Sequence, residues 1–129
     1  MLTMVLIDTH IAVFLHGGHL DKLSAPACEQ LELNDIVLPE MARLELQYLY
    51  EIKRIAYRPE QIVADLYADI GLYCSPSSMT AVVQAAIGID WTRDAFDRLI
   101  AADSLCSNVP LITRDKTIIA HLPNVICAR

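Results

Sequence analysis

Asp8, Glu45, Asp97 and Asp115 are spread over a chain of 129 residues, yet each stands where a carboxylate asks for a chemical explanation. Asp8 closes the apolar run Met4-Val-Leu-Ile. Glu45 lies within a helical pattern, in line with Met41, Tyr48, Leu49 and Ile52 at spacings of three, four and seven. A carboxylate on a core-facing stripe is costly unless something pairs with it. Asp97 follows Asp94 by three residues in Arg93-Asp-Ala-Phe-Asp-Arg, and Asp115 follows Pro110-Leu-Ile-Thr-Arg. Thr113, just inside that last segment, is a hydroxyl able to hydrogen-bond a neighbouring carboxylate.

Each acid also has a plain structural explanation. Asp8 and Asp115 can cap the helices that follow them. Glu45 can point outward and pair with Lys53 or Arg43. Asp94 is well placed as an N-cap, its favoured role, and Asp97 can answer the dipole of the helix it begins. Taken together these explanations weaken, because the acids come from separate segments that a parallel sheet would bring to one edge. Carboxylates sharing a pocket repel one another until some protonate, and a hard divalent cation removes that conflict. All-oxygen ligation selects magnesium or manganese. Such an ion can orient a phosphodiester, activate water and stabilise a leaving oxygen. Asp8 and Asp97 are then the expected principal ligands, with Glu45 and Asp115 completing the site directly or through water, or orienting the nucleophile.

The elements that must position these groups are legible in the pattern. Thr3 to Ile7 predicts a fully buried strand, followed by a helix over 9–15 that Gly17-Gly18 stops. Ser24 before Pro26 opens a helix to Leu33. Asp35 to Leu38 predicts a strand, and Glu40 to Ala56 a long helix. Arg58-Pro59-Glu60 opens another helix, closed by Gly71. Leu72 to Cys74 is a third strand, and Ser77 or Ser78 caps a helix to Ile87. Asp94 to Ser107 is helical, Val109 to Thr113 a strand, Lys116 to His121 a short helix, and Val125 to Cys127 a last strand. Strands alternating with helices predict an α/β domain with a parallel sheet, whose ligands sit at the carboxyl ends of the strands. That rule singles out Asp8 and Asp115.

Composition narrows the classes further. The length suits one domain, residues 1–129, with a core that needs no disulfide, and the apolar share is 54%. Cys28, Cys74, Cys106 and Cys127 have no regular spacing and read as small buried hydrophobes in a reducing compartment. The N-terminus lacks the features of a signal peptide. The uncharged stretch 70–89 is broken by Pro76, three serines, Gln84 and Gly88, so no membrane span is expected. The expectation is a soluble, cytoplasmic protein. A net charge of −6 argues for weak nonspecific affinity for nucleic acid. Arg93, Arg98, Arg114 and Lys116 soften that objection by adjoining the acidic motifs, and Lys53, Arg54 and Arg58 form a second group. Arg98, Arg114 and Lys116 are candidates to contact phosphates or the acids themselves.

Four of these segments together resemble a known family. Met-Val-Leu-Ile-Asp8-Thr-His is similar to the opening strand of PIN-domain ribonucleases of the VapC toxin type. Leu38-Pro-Glu-Met-Ala-Arg-Leu-Glu45-Leu resembles their second motif, Arg93-Asp-Ala-Phe-Asp97-Arg-Leu-Ile-Ala-Ala their third, and Pro110-Leu-Ile-Thr113-Arg-Asp115 their fourth. The segment Pro39-Glu40-Met41 departs from the usual small or polar run, and Ala95 stands where proline is common. The resemblance implies a three-layer α/β/α sandwich around a parallel sheet and a magnesium- or manganese-dependent endoribonuclease. It implies a toxin of a toxin–antitoxin pair, inhibited by a cognate antitoxin protein, and a homodimer. Residue by residue it implies Asp8, Glu45, Asp97 and Asp115 as the acidic set, with Asp94 and Thr113 in support.

Other classes fit less well. A phosphatase with Asp at the end of its first strand needs a second Asp where His10 stands, and a phosphate-accepting signalling domain needs an acidic pair that is missing. His10, His16 and His19 are separated by Gly17-Gly18 and read as surface or loop histidines, not a zinc site. The alternatives that remain are a non-catalytic PIN-like binding domain and an RNA-processing nuclease outside a toxin–antitoxin system.

Overall fold

A computed structural model describes residues 3–129. Five short strands, β1 (Met4–Ile7), β2 (Asp35–Leu38), β3 (Tyr73–Cys74), β4 (Leu111–Thr113) and β5 (Val125–Cys127), form one sheet in the order β3-β2-β1-β4-β5. Every pairing is parallel. The strands are joined by α1 (Thr9–His16), α2 (Ala25–Leu33), α3 (Glu40–Glu51), α4 (Pro59–Ile70), α5 (Met79–Ile87), α6 (Ala95–Ser107) and α7 (Lys116–His121). The expected α/β/α sandwich with a central parallel sheet is therefore the architecture. The chain runs outward from β1 through β2 to β3, then returns across the sheet to β4 and β5. Right-handed crossovers place helices from these two directions on opposite faces. Between β1 and β4 the direction reverses, which opens a crevice at the carboxyl ends of both strands.

The central strands read as apolar runs because both of their faces are covered. Leu6, Ile7, Leu38, Leu111 and Ile112 are fully buried, and Ile11, Leu46, Ile62, Ile100 and Ile118 pack on them from the helices. Capping follows the residues foreseen for it. Ser24 accepts from the Ala27 amide, Ser78 from Ala81, and Asp94 from Asp97. Gly71, at φ 72°, ends α4 in the left-handed conformation.

Two expectations need correction. α3 ends at Glu51, not Ala56. Lys53 turns left-handed at φ 62°, its amide bonds to the Tyr50 carbonyl, and the Arg54 amide reaches back to Leu49. This is a Schellman termination with lysine in the position glycine usually fills, so no glycine announced it. Lys53→Gly should therefore stabilise the fold by about 0.5–1 kcal/mol, read as a rise in the chemical-denaturation midpoint with unchanged slope. The cysteines are the second correction. Cys28 and Cys74 are half-buried, while Cys106 and Cys127 are exposed, and all four are free thiols. Among the described residues no helix is long and apolar enough to cross a membrane.

Candidate active site

Asp8 leaves β1 at its carboxyl end, beside the end of β4. Its amide donates to the Ile112 carbonyl at 3.0 Å, continuing the β1–β4 ladder by one residue. The side chain is thereby set against Thr113, whose hydroxyl donates to Asp8 Oδ2 at 2.6 Å. The Asp115 amide donates to that same hydroxyl oxygen at 3.0 Å, which leaves the Thr113 proton for Asp8. Thr113 supports Asp8 as expected and also fixes the turn that carries Asp115. The Thr9 amide donates to Asp8 Oδ1 at 2.7 Å. Burial is the main influence on the Asp8 carboxyl and pushes it up, against the opposing pull of these two hydrogen bonds.

Glu45 does not point outward to a cation. Arg43 is taken by Glu40, one turn earlier on α3. Glu45 instead accepts the hydroxyl proton of Thr9, a residue that is completely buried. The apolar stripe differs from the expected one: Ala42 and Leu46 are the buried positions of α3, while Tyr48 and Ile52 are exposed. Glu45 sits half-buried at the edge of that buried face. Its carboxyl is also pushed up, chiefly by burial and then by the neighbouring Asp8 charge.

Asp97 occupies the first turn of α6. Asp94 spends an oxygen on capping this helix, as anticipated, by accepting from the Asp97 amide at 2.9 Å. A carboxylate placed there only to answer the helix dipole would be stabilised as an anion. Here the balance goes the other way. Burial, followed by the charges of Asp115, Asp94, Asp8 and Glu45, pushes the Asp97 carboxyl up to about 7. Among the described residues no hydrogen bond reaches either Asp97 oxygen. Asp115 caps α7 by accepting from the Ile118 amide at 2.9 Å, and its charge still acts on Asp97.

The four acids thus line one cavity of about 280 Å³ with His10, Phe14 and Arg114. Asp94 is exposed at its edge. Several other expectations change. Arg98 does not face the acids: its Nε donates to the Ala86 carbonyl at 2.9 Å, fastening α6 to the end of α5. His16 is no loop histidine but pairs with Asp65 at 2.8 Å, which holds the Asp65 carboxyl below its usual range. Thr9 was not foreseen as a site residue. The only signal it offered was its place directly after Asp8.

The donor set suits a hard cation, since it is all carboxylate oxygen and one member carries unrelieved negative repulsion. Each of Asp8, Glu45 and Asp115 keeps lone pairs beyond those its hydrogen bonds use. As they stand, however, no three His, Cys, Asp or Glu side chains among the described residues are close enough to chelate an ion. Asp8 is gripped on both oxygens and Glu45 on one, while among the described residues no hydrogen bond holds the Asp97 carboxyl.

The fold and its crevice of acids define an α/β domain with an acidic pocket at the reversal point of a parallel sheet. The chain belongs to the PIN-domain family, which matches residues 5–123. Solved structures of similar fold include a toxin–antitoxin complex from Klebsiella pneumoniae, at 19% identity and a TM-score of 0.65, covering 95% of this chain and 96% of that one. VapBC2 from Rickettsia felis, bound to a DNA fragment from its promoter, has 18% identity, a TM-score of 0.60 and 96% coverage of both chains. DNA-bound VapBC from Salmonella typhimurium has 17% identity and a TM-score of 0.59, covering 97% of this chain and 96% of that one. No curated protein matches the sequence.

One consequence of the geometry is open to test by itself. Thr9→Val keeps the buried volume and removes the proton that Glu45 accepts. The expected result is a stability loss of about 1 kcal/mol. Manganese affinity should fall roughly tenfold, with its pH midpoint shifted upward as Glu45 becomes harder to ionise. Calorimetric titration of manganese at several pH values checks both.

Proposed function

We propose that this chain is a metal-dependent endoribonuclease that hydrolyses RNA phosphodiesters, and that it is the toxin of a toxin–antitoxin pair. The observation that carries the reading is Asp97. Its carboxyl sits among four others, accepts no hydrogen bond among the described residues, and is held up to about 7 by burial and repulsion. Below about pH 7 a proton on Asp97 relieves that arrangement, and with the carboxylate ionised a cation does so. Asp8, Glu45, Asp97 and Asp115 are assigned as the residues that hold magnesium or manganese. A bound ion of this kind supplies Lewis acidity to the phosphodiester and to the attacking water.

The remaining roles belong to the chain. Thr113 and the Thr9 amide hold Asp8 in place and oppose the upward push of burial on its carboxyl, so that one ligand is preorganised. Thr9 aims Glu45 into the pocket from α3. Asp94, by capping α6, sets the rotation at which Asp97 enters. Membership of the PIN-domain family supports nuclease chemistry. The likeness of fold to the toxin–antitoxin structures above supports the toxin role and inhibition by an antitoxin, and homodimerisation is proposed from the family resemblance alone. The exposed apolar side chains of α3, of Ile52 just beyond its end and of α4, among them Leu44, Tyr48 and Tyr67, are the surface we assign to the antitoxin.

The deciding experiment is cleavage of a structured RNA pool by the purified protein with manganese, with and without chelator. Cutting that needs the metal and is suppressed by the co-expressed antitoxin supports the whole reading. Cutting without such suppression removes the toxin role and leaves a processing nuclease. A folded protein that neither binds manganese nor cuts RNA is a non-catalytic binding domain.

A further inference from the structure

The acid pocket has a second wall that the carboxylates do not explain. His10 and Phe14 lie one helical turn apart on α1, and both line the cavity together with Arg114. The Arg114 guanidinium carbon is 5.1 Å from the centre of the Phe14 ring, and the Lys22 ammonium is 5.2 Å from the same centre. Both separations fall within cation–π range. Arg114 and Lys22 are exposed, whereas Phe14 is half-buried and packs against the core.

An arginine at the mouth of an acidic pocket has an obvious alternative place to go. Coulomb attraction favours a pair with Asp97 or Asp115, although exposure of the guanidinium screens it. Arg114 nonetheless forms no ion pair with any carboxylate among the described residues, and neither does Lys22. The guanidinium lies over the Phe14 ring instead. The acids are left available to a cation, and two positive charges are left available to something else. In a chain of net charge −6, this wall offers an approaching polyanion two positive charges beside the acid pocket.

We infer that Phe14, Arg114 and Lys22 form a phosphate clamp for the RNA strand beside the scissile linkage, with Arg114 and Lys22 touching backbone phosphates and Phe14 acting as their positioning residue. The clamp rests on the nuclease reading of the acid pocket. Arginine presents a planar fork that matches phosphate oxygens, and lysine a point charge. A ring already attended by two cations is not a bare platform for a nucleobase, which favours backbone over base recognition. Contacts of this kind carry no sequence information; they seat the strand.

The test is binding of a short single-stranded RNA in EDTA, followed by fluorescence anisotropy across a range of salt concentrations. Arg114→Gln and Lys22→Gln should each weaken binding roughly tenfold at low salt, and each should flatten the salt dependence by about 0.7 in log–log slope. Arg43→Gln removes the same charge from an arginine paired with Glu40, and should leave the slope unchanged. A second measurement needs no RNA. Phe14→Leu releases Arg114 toward the acids, so manganese affinity should fall several-fold and return in the Phe14→Leu, Arg114→Gln double variant. A packing defect at Phe14 would show no such recovery.

The clamp is overturned if the wild type cuts RNA with manganese while both exposed variants bind RNA with unchanged affinity and slope. If the wild type neither binds manganese nor cuts, the nuclease reading falls. The RNA-binding series then judges the clamp alone: flattened slopes retain it and unchanged slopes end it.

Discussion

Asp97→Asn should lower RNA cleavage on the order of a thousandfold and, in the same preparation, make the metal-free protein more stable above pH 7. On the proposed metal-dependent reading, the first effect follows from removing a ligand whose ion would contribute several kcal/mol to the transition state, at about 1.4 kcal/mol per tenfold in rate. The second follows from linkage. Asp97 titrates at about 7 in the folded chain, against an ordinary value of 3.8. Between those limits the folded state holds a proton that the unfolded state releases. The stability this confers is complete at low pH and is lost as pH rises through about 7. Asparagine is neutral throughout and never meets the repulsion. Because the carboxylate is only half-buried, solvent screening reduces the gain to about 1–2 kcal/mol, or roughly 3–8 °C in melting temperature. Melting in EDTA at pH 5 and pH 8, with single-turnover cleavage in manganese, reads both effects. A variant that is less stable than wild type at pH 8, or that still cuts at a tenth of the wild-type rate, would remove Asp97 from the centre of the site.

This opposition between function and stability also explains what the sequence could and could not show. The strands were legible because β1, β2 and β4 are short apolar runs bounded by Asp, Pro and Asn, and a strand buried on both faces has no other appearance. Asp8 and Asp115 were legible for the same reason, since they follow strand ends that a parallel sheet must bring together. Asp94 and Asp115 turned out to cap helices as their plain readings suggested and to act on Asp97 as well, so the structural and functional readings were never exclusive. Other features depend on what lies opposite in space. Thr9 became a site residue only because α3 delivers Glu45 to its hydroxyl. Arg98 adjoins Asp97 in sequence but binds a carbonyl on α5, because successive helix positions face different neighbours. Apolar composition hid the true inner face of α3, where small Ala42 is buried and large Tyr48 is not. The end of that helix was obscured by a lysine doing what glycine ordinarily does.

Manganese should raise the melting temperature by roughly 8–15 °C at pH 8 when present at about a hundred times its dissociation constant, and by little at pH 5. The magnitude follows from mass action, about 2.7 kcal/mol at that excess, together with the temperature shift expected per kcal/mol for a domain of this size. The pH dependence follows from competition for the same oxygens, because ligands must shed their protons to bind. At pH 5 Asp97 is protonated in the folded chain, and burial also raises Asp8 and Glu45 above their ordinary values. At pH 8 Asp97 is ionised, repulsion is greatest, and a divalent ion relieves the most strain. Thermal melting with manganese from pH 5 to 8, repeated on Asp97→Asn, separates this from nonspecific adsorption to an acidic surface. Equal stabilisation at both pH values, or an equal response in the variant, would mean that manganese sits elsewhere on the protein. The acids would then owe their positions to capping and packing alone.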